Sequence, residues 1–166
     1  NVFGDGGGYT EMSLLDAGDL YGLSKIGGEN SQCMTIRTSI VGEEVPGNHR
    51  SLLEWAFSQR DKNVNGFTNH KWNGVTTTHL AERIEYILKN DLYQLGIFHT
   101  FSMQDLTKFE MLNIFNDVYN LNLTINPMES DIECNRCLRT VKDLNYLLPQ
   151  KEFKTQVEEM KHIFCK

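Results

Sequence analysis

Two side chains four residues apart raise the question of chemistry: Tyr21 and Lys25, in the run Tyr21-Gly22-Leu23-Ser24-Lys25. On an α-helix one turn separates i from i+4, so both would project from one face. An ammonium beside a phenol favours the phenolate by opposite charge. A tyrosine so poised can hand a proton to a carbonyl oxygen as hydride reaches the carbon, or take it back in reverse. Spacing alone also permits an exposed helix pair with no chemistry. Six tyrosines and ten lysines among 166 residues give about 0.4 such pairs by chance.

Other chemistry-bearing groups are weaker. Cys134 and Cys137 form a C-x-x-C pair, but zinc would want a second ligand pair, and the five histidines are isolated from one another. A redox pair would open a helix after a strand, whereas this one follows the acidic stretch Glu129 to Glu133; buried, idle thiols are the expectation. The acidic stretch reads as a solvated loop without a calcium-loop pattern. Glu43-Glu44 reads as a loop end, and Trp55 as core.

The elements that must position Tyr21 and Lys25 follow from hydrophobic period and punctuation. Val2-Phe3 reads as the tail of a strand, followed by a glycine-rich loop from Gly4 to Gly8. A helix is expected over 19–32, with adjacent Gly27 and Gly28 that cost about 1 kcal/mol each against alanine. Such a cost is offset where a strand, a partner helix or a ligand approaches the backbone. Cys33 to Val41 reads as a buried strand and 49–60 as an amphipathic helix, followed by a polar, asparagine-rich stretch over 61–74. A helix over 78–90 would point Leu80, Ile84, Ile87 and Leu88 inward. Gly96 to Phe101 reads as a strand. Ser102 and Asp105 resemble a capping box ahead of a helix reaching about Asn120, with Leu106, Phe109, Leu112, Phe115 and Tyr119 on its apolar face. A short strand over 123–127, a helix over 138–148 and a terminal helix over 151–164 complete an α/β pattern.

Composition sets outer bounds. The formal net charge is -6, and the 16 basic residues form no run, which argues against a nucleic-acid partner. Hydrophobic residues at 40% suffice for a packed core. No window approaches 18 consecutive apolar residues, so no membrane partner is expected. The opening NVFGDGGGYTE has neither the basic start nor the apolar run of a signal peptide, and a soluble, cytoplasmic chain is the expectation.

The run Asp19-Leu-Tyr-Gly-Leu-Ser-Lys-Ile-Gly-Gly-Glu29, followed by Thr35-Ile-Arg-Thr-Ser-Ile-Val-Gly42, resembles extended short-chain dehydrogenase/reductases. The likeness is strongest to the dTDP-4-dehydrorhamnose reductase group. Val2-Phe3-x-Gly with Tyr9-Thr10-Glu11 is similar to a segment that follows the family's catalytic Ser or Thr. Trp72-Asn-Gly-Val-Thr-Thr-Thr-His-Leu-Ala81 resembles a substrate-domain segment, and Asn135-Arg-Cys-Leu-Arg139 a C-terminal D-R-x-L element. The resemblance implies NADPH- or NADH-dependent reduction of a 4-keto-6-deoxy sugar carried on a nucleotide diphosphate. It makes Tyr21 the general acid, Lys25 the partner that holds the nicotinamide ribose, and Thr38 and Ser39 the residues packed on the nicotinamide. Ile40 stands where relatives place a polar or aromatic substrate-facing residue. Trp72 stands where related epimerases carry an arginine for the diphosphate, and Arg136, whose fork suits phosphate oxygens, is the alternative partner for it.

A dinucleotide fold also needs a glycine-rich turn after its first strand, and no G-x-x-G-x-x-G lies in these residues. The resemblance therefore implies the C-terminal half of such an enzyme. Residues 1–47 would end the Rossmann cofactor domain and residues 48–166 would be mainly the small α/β substrate-binding part. The missing N-terminal half is then an expected partner, and so is a second copy through the Tyr21–Lys25 helix. A non-catalytic nucleotide-sugar binder, and an epimerase or dehydratase of the same superfamily, stay open beside the reductase.

Overall fold

In the computed structural model, residues 3–44 and 51–164 are described; Val2, and the first two residues of the helix expected over 49–60, lie outside them. Asp19 caps the first helix, α1 (Leu20–Gly27), by accepting from the Gly22 amide. The expected helix over 19–32 is thus shorter: Gly28 closes it through its amide on the Lys25 carbonyl. The strand expected over 33–41 is split into β1 (Met34–Arg37) and β2 (Ile40–Val41), because its two halves pair with different strands.

Helix α2 (Leu52–Ser58) follows, capped by Ser51. It buries Leu53 and Ala56 while Trp55 stays exposed, so the expectation of a core Trp55 is corrected. The stretch expected to be merely polar holds β3 (Asn63–Phe67) and β4 (His70–Trp72), then β5 (Val75–Thr76). Helix α3 (Thr77–Lys89) buries His79, Arg83 and Ile87, which recur every four residues, and leaves Ile84 and Leu88 exposed. The inward face is more polar than the hydrophobic period suggests, because Arg83 finds five acceptors in the interior.

Strand β6 (Gly96–His99) pairs in parallel with β1, from Met34 beside Gly96 to Arg37 beside His99. Strand β7 (Leu106–Thr107) leads into α4 (Lys108–Tyr119) through a reciprocal capping box of Thr107 and Glu110, not the expected Ser102 and Asp105. Asp105 instead pairs with Arg139. Strand β8 (Thr124–Met128) runs parallel to β3 over five residues. Strand β9 (Cys134–Asn135) joins β4 in parallel while β7 flanks β4 antiparallel. The helix expected over 138–148 is reduced to α5 (Leu144–Leu147), before α6 (Phe153–Phe164). Strands β2 and β5 pair in parallel, Ile40 beside Val75. No described helix is long and apolar enough to cross a membrane.

The main core lies between α2, α4 and α6, where Leu53, Leu112, Phe115, Phe153 and Val157 are fully buried. Each such side chain contributes roughly 1.5–3 kcal/mol of transfer free energy. A smaller cluster of Phe3, Phe101 and Leu138 backs the N-terminal loop.

Two buried histidines make stability depend on pH. His99 places Nδ1 2.8 Å from the Arg139 carbonyl, and His79 places Nδ1 3.0 Å from Glu82. Burial is the largest influence on both and pushes their pKa values below the usual histidine range. The unfolded chain therefore takes up protons first, near pH 6.5. Their stability contribution is whole above that pH and lost as pH falls, at a slope of at most about 1.4 kcal/mol per pH unit each. Urea unfolding should accordingly show a lower midpoint at pH 5.5 than at pH 7.5. Equal midpoints would contradict neutral, buried imidazoles.

Candidate active site

An open cleft of about 800 Å³ lies between α1, the consecutive strands β1 and β2, the N-terminal loop and the residues after β9. Tyr21 and Lys25 line it from α1, Thr38, Ser39 and Ile40 from the bend between the strands, and Arg136 from the opposite side. Six of the seven residues singled out from the sequence thus share one cavity. The Lys25 Nζ stands 5.2 Å from the Tyr21 ring centroid, so the two groups do lie together. Trp72 does not line this cleft. It lines an adjoining pocket of about 170 Å³, which shares Ile40 and Arg136 with the cleft and adds Lys108 and Met111.

Several contributors were not evident from spacing. Arg37 sits in the cleft wall and holds Glu29 by two bonds, Nε to Oε1 at 2.6 Å and Nη2 to Oε2 at 2.7 Å. That fork joins the segment after α1 to β1, so the Tyr21 helix and the strand that leads to Ser39 are held together. The Arg37 guanidinium also lies 5.2 Å from the Phe3 ring, which stacks on Tyr9 at 4.5 Å. Tyr9 donates to Asp16 at 3.0 Å. The signal available in the sequence was the Glu29-to-Arg37 span, an acid after the helix and a base in the strand.

The glycine-rich loop forms the remaining wall. Gly6 bridges to Asn135 and Tyr9 to Leu138, so the loop runs beside residues 135–138. Gly7 has φ +70°, and a Cβ there would lie 2.2 Å from Asn135 Cγ, so a larger residue would strain the backbone and displace the Asn135 side chain. This close approach sets Asp5 against Arg136, whose Nε donates to Asp5 Oδ1 at 2.6 Å. The hydrogen bond from Arg136 is the largest influence on Asp5 and holds its carboxyl below the usual range. Arg136 is thus held in place with its charge, half exposed at the cleft wall.

Cys134 and Cys137 are buried free thiols, and burial pushes Cys137 up to about 12. Such a thiol carries almost no thiolate at neutral pH, in line with the expectation of idle cysteines. Among the described residues no group of three His, Cys, Asp or Glu side chains could hold a metal ion.

No family model and no curated protein matches the sequence. Solved structures do. A dTDP-4-dehydrorhamnose reductase from Clostridium acetobutylicum superposes with a TM-score of 0.75 at 16% identity, over 99% of this chain and 63% of that one. A dTDP-4-dehydrorhamnose reductase from Bacillus anthracis, in complex with NADP, gives 0.72 at 15% identity, over 95% of this chain and 59% of that one. A dTDP-glucose 4,6-dehydratase from Bacillus anthracis, in complex with NAD, gives 0.66 at 13% identity, over 97% and 58%.

This chain has their fold. It is an α/β fold of the Rossmann type with parallel strand pairing, and the chain spans about three-fifths of the length of these structures.

Proposed function

We propose that this chain forms part of a nicotinamide-dependent enzyme that modifies nucleotide sugars, and that its reaction is reduction of a 4-keto-6-deoxy sugar linked to dTDP or UDP. The observation that carries this reading is the convergence of Tyr21, Lys25, Thr38 and Ser39 on one cleft. Residues 1–47 then supply the end of a cofactor domain and residues 48–166 most of the sugar-nucleotide pocket. A dinucleotide-binding half completes the site. The exposed Leu20 and Leu23 of α1 support its being covered by that half or by a second copy; a purely monomeric species in sedimentation of the natural polypeptide would count against the second copy.

The residues present fit a nicotinamide nucleotide. The Lys25 ammonium and the hydroxyls of Thr38 and Ser39 offer donors to a ribose and a carboxamide, beside an open volume of sufficient size. NADPH or NADH, when bound, supplies the hydride. Tyr21 delivers the proton to the ketone oxygen from its phenol, and Lys25 stabilises the phenolate left behind by charge. Arg136, with Lys108 in the adjoining pocket, neutralises diphosphate oxygens through guanidinium and ammonium donors. Ile40, half exposed at the junction of cleft and pocket, gives the sugar an apolar wall that suits a 6-deoxy methyl group.

The likeness to a dehydratase, and to a UDP-N-acetylglucosamine 4-epimerase from Bacillus cereus at TM-score 0.66, makes a redox-neutral reaction the second reading. Mixing the natural polypeptide with reduced cofactor and a 4-keto nucleotide sugar separates the two. A reductase consumes cofactor with the sugar one for one. Conversion of the sugar without net consumption would replace this reading with an epimerase or dehydratase, and no conversion at all would favour a binder.

A further inference from the structure

Trp72 stands outside the cleft, yet its indole reaches a residue inside it. The Trp72 Nε1–H donates to Ser39 Oγ at 2.6 Å. An indole can only donate, so in this pair the serine oxygen is the acceptor and its own proton has to be offered elsewhere. Ser39 Oγ has no other hydrogen-bond partner among the described residues, and Ser39 lines the cleft.

The indole has little freedom to do otherwise. A Cβ on Gly74 would lie 2.0 Å from the Ser39 carbonyl oxygen and 2.2 Å from Trp72 Cζ2, so ring and strand close over a position only glycine can occupy. The Val75 amide donates to that same Ser39 carbonyl at 3.0 Å. On its other side the indole meets the buried Phe153 ring edge-on, with centroids 5.4 Å apart. Between them, Asn73 is fixed by a reciprocal pair of bonds with Leu138, at 2.8 and 3.0 Å.

We propose that Trp72 is a positioning residue, which turns Ser39 into a hydrogen-bond donor aimed into the cleft. The group that Ser39 meets is then an acceptor, a carbonyl oxygen of a carboxamide or ketone. This inference rests on the reading of the cleft as a nicotinamide and keto-sugar site. It also moves Trp72 from substrate contact to support of a contact.

The test uses the natural polypeptide with ¹⁵N-labelled indoles, the Trp72 signal assigned by its nuclear Overhauser contacts to the Phe153 ring, and reduced nicotinamide mononucleotide as probe. Ser39→Ala should shift the Trp72 indole signal and speed its exchange with solvent, a result that needs no Trp72 variant to fold. Trp72→Phe keeps the ring against Phe153 and loses the N–H. It should weaken probe binding about fivefold, the worth of one oriented hydrogen bond, as Ser39→Ala does, with the double variant no weaker than either. An unmoved indole signal, or additive losses in the double variant, would overturn the positioning role while leaving the cleft reading intact. A natural polypeptide that does not bind the probe overturns the cofactor reading and the donor role of Ser39 together.

Discussion

Replacing Tyr21 by phenylalanine should lower turnover of the natural polypeptide at least about 100-fold, the lower end of what a positioned proton donor contributes. The variant removes one oxygen. The ring stays beside the Lys25 ammonium, 5.2 Å from its centroid in the native chain, and Tyr21 is 64% exposed, so no buried contact is lost. Binding of cofactor and sugar nucleotide should change less than about threefold, because the phenol proton is needed in the transition state and little before it. Lys25→Met should differ in pattern. It removes both the charge beside the phenol and a donor to the ribose, so KM for the cofactor should rise as turnover falls. Unchanged turnover in Tyr21→Phe would leave the pair as a solvent-exposed helix contact with no chemistry.

The largest stability effect is expected at Arg83. This fully buried side chain donates from Nη1 to Thr100 Oγ1 at 2.7 Å and to the Phe101 carbonyl at 3.0 Å. It also donates from Nε to the Pro149 carbonyl and from Nη2 to Gln150 Oε1. Its acceptors are all neutral, and burial alone pulls its pKa down to about 10, still charged at pH 7. Removing it has two opposed effects. An unpaired buried charge disappears, which relieves desolvation. Four or more buried acceptors lose their donor, each at about 1–3 kcal/mol. The second effect is larger, so Arg83→Met should destabilise by about 3 kcal/mol or more in urea unfolding. A loss under about 1 kcal/mol would mean that water or rotation of Asn145 and Gln150 satisfies those groups. The site should feel the change as well, since Phe101 packs with Phe3 and Leu138 behind the cleft.

The sequence was a good guide to where α3, α4, α6 and the strands β6 and β8 lie, though not to the inward face of α3. It was a poor guide where pairing rather than period makes a strand. Asn63–Phe67 carries one strong inward apolar residue, Val64, and is a strand because five residues of β8 lie beside it. The bend at Thr38–Ser39 cannot be seen locally either, because it exists to let β1 meet β6 and β2 meet β5.

The site divides in the same way. Tyr21, Lys25, Thr38 and Ser39 lie within twenty residues; helix spacing pointed to the first two, and only the family resemblance pointed to Thr38 and Ser39. The partners of that group come from afar. Asp5 and Arg136 are 131 residues apart, and Trp72 reaches Ser39 across 33. Nothing in the spacing of polar residues encodes such contacts, which depend on how β4 and β9 sit against the glycine-rich loop. Trp72 is the instructive case. Its type and place suggested a substrate contact, while the fold turns its N–H toward another side chain.

The most direct test follows the hydride itself. The natural polypeptide is supplied with a 4-keto-6-deoxy nucleotide sugar and with NADPH or NADH carrying deuterium at the reactive carbon of the dihydropyridine ring. Mass spectrometry and NMR of the product should find the label on the sugar at C4, and Tyr21→Phe should suppress it together with turnover. A product sugar free of deuterium, or labelled at the same rate without the Tyr21 phenol, would contradict hydride transfer and protonation at this cleft.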